Sequence, residues 1–109
     1  MVIENWKTIE KKSFNITGER QVFSGENVML VQNTLKPGFP QFRHSHPNEQ
    51  ILCILEGKCK VTIGDESAEM GAGDMVRIAS NVEHDLEVIG DETVINLDVF
   101  YPVREDYLK

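Results

Sequence analysis

The sequence predicts an all-β chain, folded as an antiparallel sandwich or barrel. Short runs of alternating or wholly apolar residues recur along it. Glycine-bearing turns separate those runs at close spacing. No stretch shows a convincing helical period. With 109 residues, the expectation is a single domain, 1–109. Such a chain can withdraw roughly two-thirds of its unfolded surface from water.

Taken in order, residues 1–20 are mixed and polar, with no clean period, and Asn15-Ile16-Thr17-Gly18-Glu19 reads as a turn. Asn15-Ile16-Thr17 also fits a glycosylation acceptor pattern, which carries no weight without a secretory signal. After the polar turn Ser24–Asn27, the run Val28–Val31 starts a strand that continues through Leu35. Lys36-Pro37-Gly38 turns the chain. The next stretch carries two of the three histidines and is expected to be a strand, with His44 and His46 on one face. Pro47-Asn48-Glu49 reverses it, and Glu49 is read as solvated. Gln50–Leu55 is nearly all apolar and is expected to be a doubly buried strand. Lys58–Ile63 alternates, Gly64-Asp65-Glu66 is a hairpin signal, and Ser67–Met70 returns. Gly71–Asp74 turns, Met75–Ile78 is a strand, and Ser80-Asn81 turns again. Val82, His84, Leu86 and Val88 alternate against Glu83, Asp85 and Glu87, which puts His84 on an inward face. Thr93–Tyr101 is the last strand. Its set Ile95, Leu97, Val99 and Tyr101 is apolar or aromatic. Its other set, Val94, Asn96, Asp98 and Phe100, is polar in the middle, as suits a pocket lining. Pro102 ends the strand, and 103–109 is a tail with room for one helical turn.

Composition excludes some partners. The formal net charge is −7 and the basic residues are scattered, so nucleic acid and anionic membranes are not expected partners. No apolar stretch is long enough to span a bilayer. Met1–Lys7 lacks the apolar core of a signal peptide, and the expected location is the cytoplasm. Cys53 and Cys59 form no CxxC pair and read as reduced core residues.

The histidines carry the chemistry. On one strand face, two imidazoles and the amide oxygen of Gln50 would converge, and His84 would close the set from a later strand. Four uncharged donors leave a bound metal its full charge, suited to Lewis-acid work and to holding an anion. Imidazoles accept Zn, Ni, Fe, Cu or Mn, so one divalent transition metal of unspecified identity is expected.

These residues resemble the cupin superfamily. Its first motif, G-x5-H-x-H-x(3,4)-E-x6-G, is matched by Gly38, His44, His46, Gln50 and Gly57, with Gln in place of Glu. Its second, G-x5-P-x-G-x2-H-x3-N, keeps Gly73 and His84 but loses the Pro, Gly and Asn positions. The two motifs lie at about 38–57 and 73–88. The fold this implies is a small jelly-roll barrel. The string His44–Gln50, followed by Asp98-Val99-Phe100-Tyr101-Pro102-Val103-Arg104-Glu105-Asp106, is similar to the pectin-degradation cupins of the KdgF type. That resemblance implies metal ligands at His44, His46, Gln50 and His84, and active-site roles for Asp98, Phe100 and Arg104. It implies opening of a 4,5-unsaturated monouronate, from pectin or alginate breakdown, to its linear keto form. It also suggests a homodimer.

In that scheme the substrate is a small anionic sugar acid. Asp98 shuttles a proton, Phe100 packs on the ring face, and Arg104 clamps the carboxylate. Each has an ordinary alternative: Asp98 orienting a ligand, Phe100 as core, Arg104 as a surface charge. Arg77 is a second candidate cation, with a surface strand as its better-supported role. Two further readings stay open, a non-catalytic cupin that binds a small acid and a metal-dependent dioxygenase or isomerase with another substrate. A purely structural chain without metal is a third.

Overall fold

The computed structural model describes residues Met1–Lys109. Nine strands follow one another: β1 (Lys12–Asn15), β2 (Gly18–Ser24), β3 (Met29–Leu35), β4 (Glu49–Glu56), β5 (Lys58–Ile63), β6 (Glu66–Gly71), β7 (Met75–Ile78), β8 (His84–Val88) and β9 (Val94–Tyr101). A short 3-10 turn, Glu105–Leu108, follows. All pairings are antiparallel. One sheet runs β1-β2-β3-β9-β4-β7 and the other β6-β5-β8. This is the antiparallel sandwich that the spacing of apolar runs predicts, in the jelly-roll form that the resemblance implies. No helix is long and apolar enough to cross a membrane.

Register decides what faces inward. β9 lies between β3 and β4, with Asn96 opposite Asn33 and Ile54, Asp98 opposite Val31 and Leu52, and Phe100 opposite Met29 and Gln50. Because side chains alternate, Val94, Asn96, Asp98 and Phe100 all enter the interior. Leu35, Leu52, Ile54, Cys59, Val61 and Ile78 form most of the larger apolar cluster, which joins the two sheets. Met29, Val31 and Phe100 form a second cluster. Burying an aliphatic or aromatic side chain of this kind is worth about 1.5–3 kcal/mol. The polar residues of β9 lie between these apolar supports. Cys53 and Cys59 are both unpaired, and only Cys59 is fully buried.

Three expectations need correction. Residues 1–20 contain a hairpin, β1 to β2, in which only Ile16 and Thr17 stand between the strands. The period was hidden because Gln21, a polar residue, is buried on the outer face. Its amide donates to the carbonyls of Trp6 and Ile9, so the N-terminal stretch covers it. The histidine stretch is extended but is not a strand. Pro37, Pro40 and Pro47 supply no backbone donors, and only His44 pairs, with His84. Finally, β4 is buried on one face only. Ile51 and Leu55 are 41% and 45% exposed, and Met75 beside them on β7 is 69% exposed.

Gly57 turns the chain from the large sheet into the small one. Its φ is +85°, and a Cβ there would sit 2.6 Å from the Thr93 carbonyl oxygen and 3.0 Å from Val94 Cα. Both neighbours are backbone and cannot rotate away. Gly57→Ala is expected to lower stability by about 2–3 kcal/mol through backbone strain and this clash. Urea denaturation should show a lower midpoint with an unchanged slope. An unshifted midpoint would mean that the turn relaxes freely.

Candidate metal centre

Two segments bring the histidines together. His44 and His46 sit on the extended segment before β4, and His84 opens β8. Reciprocal backbone bonds, His44 N–H to His84 O at 3.1 Å and His84 N–H to His44 O at 2.9 Å, lock the first to the third. The Asn81 N–H donates to the His46 carbonyl at 2.8 Å and holds the second. Arg43 ties the segment to its surroundings, with Glu83 and Asp85 at 3.6 and 3.5 Å and the Gly64 carbonyl at 2.7 Å. Exposed ion pairs of this sort contribute about 0–1 kcal/mol, so they fix position more than stability.

The result is a cluster whose ligand-type nitrogens lie within 4.8 Å of one another, with His46 and His84 buried and His44 exposed. Each Nδ1 lies 2.9 Å from a backbone carbonyl two residues away: Phe42 for His44, Asn48 for His46 and Val82 for His84. A carbonyl only accepts, so each Nδ1 carries the proton and each Nε2 is left as a bare lone pair. This arrangement is the one that metal-binding imidazoles use.

Gln50 faces the same place. Its Nε2 donates to Asp98 Oδ1 at 2.7 Å, which fixes the amide's orientation and leaves Oε1 3.0 Å from His46 Nε2. Two acceptors that close are reconciled by a proton or a metal ion between them. A proton on His46 is disfavoured, because burial, then the positive charge of Arg104, lowers its pKa. A cation bound at the cluster resolves the conflict. His84 Nε2 points the same way, being buried without a hydrogen-bond partner. The donor set therefore fits a metal: three imidazoles and one amide oxygen, all uncharged.

The remaining candidates occupy one cavity of about 430 Å³, which His44, His84, Gln50, Asp98, Phe100 and Arg104 all line. Asp98 is buried and accepts three amide bonds, from Gln50 at 2.7 Å, Asn33 at 2.8 Å and Asn96 at 3.0 Å. Burial pushes its carboxyl up to about 6, and those bonds hold it from rising further. Phe100 meets the His46 ring edge to face at 5.4 Å. Arg104 is not a loose tail charge. It pairs with Asp106 at 2.9 Å, donates to the Tyr107 hydroxyl at 2.8 Å and lies 5.2 Å over the Phe100 ring. Arg77 projects from the outer face of β7, exposed and away from the cavity. Glu49 starts β4 rather than lying in a turn, and is exposed as expected.

Sequence reasoning missed Asn33, Asn48, Asn96 as a hydrogen-bonding group, and Arg20. Asn48 reads as a turn residue but is buried, with its amide donating to the Pro102 carbonyl at 2.7 Å. Asn33 and Asn96 were detectable as polar residues in the interior phase of apolar strands.

Burial lowers the His84 pKa from 6.5 to about 4. The unfolded chain thus binds a proton at this residue between those values and the folded chain does not. Stability contributed by neutral His84 is lost as pH falls through that window, while Asp98, shifted upward, acts in the opposite sense. In chelator-treated protein the His84 ring resonances are expected to titrate with a midpoint near 4. A midpoint near 6.5 would show a solvated ring.

Comparison with known proteins agrees with this geometry. A family model described as Cupin domain matches residues 32–100. An uncharacterized protein of Methanocaldococcus jannaschii is 29% identical over 82 residues, covering 74% of this chain and 66% of that protein. The chain thus spans just under two thirds of that relative's length. Among solved structures, an RmlC-like cupin from Shewanella frigidimarina superposes with a TM-score of 0.89 at 23% identity, over 95% of this chain and 93% of that one. KdgF from Halomonas sp. superposes with a TM-score of 0.85 at 18% identity, over 94% and 96%. At such identities the likeness is one of fold. With the family match covering both histidine segments and the interior strands, the chain belongs to the cupin family.

Proposed function

We propose that this protein is a small metal-dependent cupin that opens 4,5-unsaturated monouronates to the linear keto form. The observation that carries the reading is the coupling of Asp98 to the histidine cluster through one amide, Gln50, within a cavity sized for a monosaccharide. The structural likeness to KdgF from Halomonas sp. supports it. His44, His46, His84 and Gln50 would hold the metal. When bound, it would supply a positive centre that polarises sugar oxygens.

The chain's own residues must then move one proton. Ring opening takes the proton from the anomeric hydroxyl as the ring C–O bond breaks, leaving an aldehyde and an enolate. The enolate becomes a ketone when that proton is delivered to carbon, so the reaction is an isomerisation with no net proton change. Asp98 suits this task. A carboxylate offers about four lone-pair sites, and the three amides leave one for a proton. Its raised pKa brings both protonation states within reach near neutrality. Phe100 offers a flat apolar face to the sugar ring, and Arg104 a guanidinium at the cavity wall, already shared with Asp106.

The second reading is a non-catalytic cupin that binds a small acid. It is favoured by the same three amides, which satisfy Asp98 as a structural anchor would be satisfied. Asp98→Asn separates the two. For the enzyme, conversion of freshly released unsaturated uronate, followed by NMR, should fall by at least about 10²-fold with metal content and fold retained. A variant that loses metal or fold instead would assign Asp98 to orienting Gln50. Wild-type turnover should vanish with chelator and return with added metal.

A homodimer belongs to this reading. The uncovered apolar stripe of Ile51, Leu55 and Met75 beside the free edge of β7 offers a second copy a self-complementary face. Light scattering should give twice the 12.4 kDa chain mass, and Met75→Lys should shift it toward the monomer. A monomeric wild-type chain would remove this element.

A further inference from the structure

Arg20 is a cavity-lining cation that neither the histidine motifs nor the C-terminal string points to. It lies on β2 opposite Asn33, which lies opposite Asn96 on β9. That inward row is one step along the sheet from the row of Asp98. Consecutive inward rows are about 6.8 Å apart, being two residues of antiparallel strand.

The cavity's charges are otherwise matched. Arg104 pairs with Asp106, and Asp85 pairs with Arg43. Asp98 is saturated by amides. Arg20 has no acid partner, and no side-chain hydrogen bond holds its five donors. It is nevertheless held in place. Its guanidinium lies 3.9 Å over the Tyr107 ring and 4.4 Å over the Phe14 ring. These two rings hold the guanidinium while its donors keep no side-chain partner, and a free guanidinium can take a carboxylate bidentately. A second unmet group stands on the same row. Asn96 Oδ1 is buried without a partner, while its Nδ2 is committed to Asp98.

Building on the small-acid reading above, we infer that Arg20 is the residue that selects an acidic ligand, taking its carboxylate. The ligand's charge then sits at the β2 side of the cavity, away from Asp98, where two carboxylates would repel. Arg104, neutralised by Asp106, serves to hold Tyr107 beneath Arg20.

The test is calorimetric titration of the intact, metal-loaded chain with galacturonate and with galactose, its uncharged counterpart. Wild type is expected to bind the acid at least about ten-fold more tightly, the scale of one charged hydrogen-bonded pair. Arg20→Gln should remove that preference, weakening galacturonate far more than galactose. Arg20→Lys, which keeps the charge without the fork, should retain part of it and serves if the glutamine variant does not fold. A wild-type chain without acid preference overturns the inference. So does an Arg20→Gln or Arg20→Lys protein that keeps the full preference. Equal weakening of both sugars overturns it too, since that marks Arg20 as a latch for Tyr107 only. Turnover of unsaturated uronate is followed in parallel. Absent turnover with an Arg20-dependent acid preference would remove the ring-opening reading alone.

Discussion

An amide has one accepting end and one donating end, and the site depends on Gln50 being unable to reverse them. The Asp98 carboxylate claims the donating end. The accepting end is thereby aimed at a histidine nitrogen that, by its own backbone bond, also accepts. An amide flip would place oxygen against carboxylate and lose the 2.7 Å bond. The interior is thus built around a concentration of lone pairs that a metal ion would complete. The strand register enforces it. Gln50 stands opposite Phe100 and one inward step from Asp98, and a slip of one residue would turn all three outward.

This arrangement sits in a chain of strongly negative charge, and the ion pairs show how that charge is kept from the cavity. Asp85 and Asp106 are each answered by an arginine, and Asp98 by neutral amides. What remains open toward the cavity is one guanidinium and the lone pairs of the histidine cluster. The site therefore presents a local polarity opposite to that of the molecule as a whole, sustained by pairing rather than by composition.

Much of this was legible in the sequence because strand periodicity is a local property. The inward set of β9, with polar residues at Asn96 and Asp98 between Val94 and Phe100, could be read from alternation alone. His84 likewise fell on the inward face of β8. What could not be read depends on partners distant in the chain. Gln21 broke the period of β2 because its burial is satisfied by carbonyls of the N-terminal stretch. Arg20 shared that obscurity, since nothing near it in sequence shows that Tyr107 and Phe14 will stack against it. The histidine segment looked like a strand because its residues alternate. Alternation reports direction of side chains, and here the backbone pairs only at His44, so no ladder forms.

That segment has a kinetic meaning. His84 belongs to a strand paired along its length, whereas His44 and His46 hang from a stretch fastened at a few backbone points. Fluctuations that free the segment cost only those few bonds, far less than global unfolding. The cluster would open from one side, with the stretch that carries His44 and His46 loosening while β8 keeps His84 in place. Exchange of an ion held there would then follow the opening of this stretch and not the unfolding of the sheets.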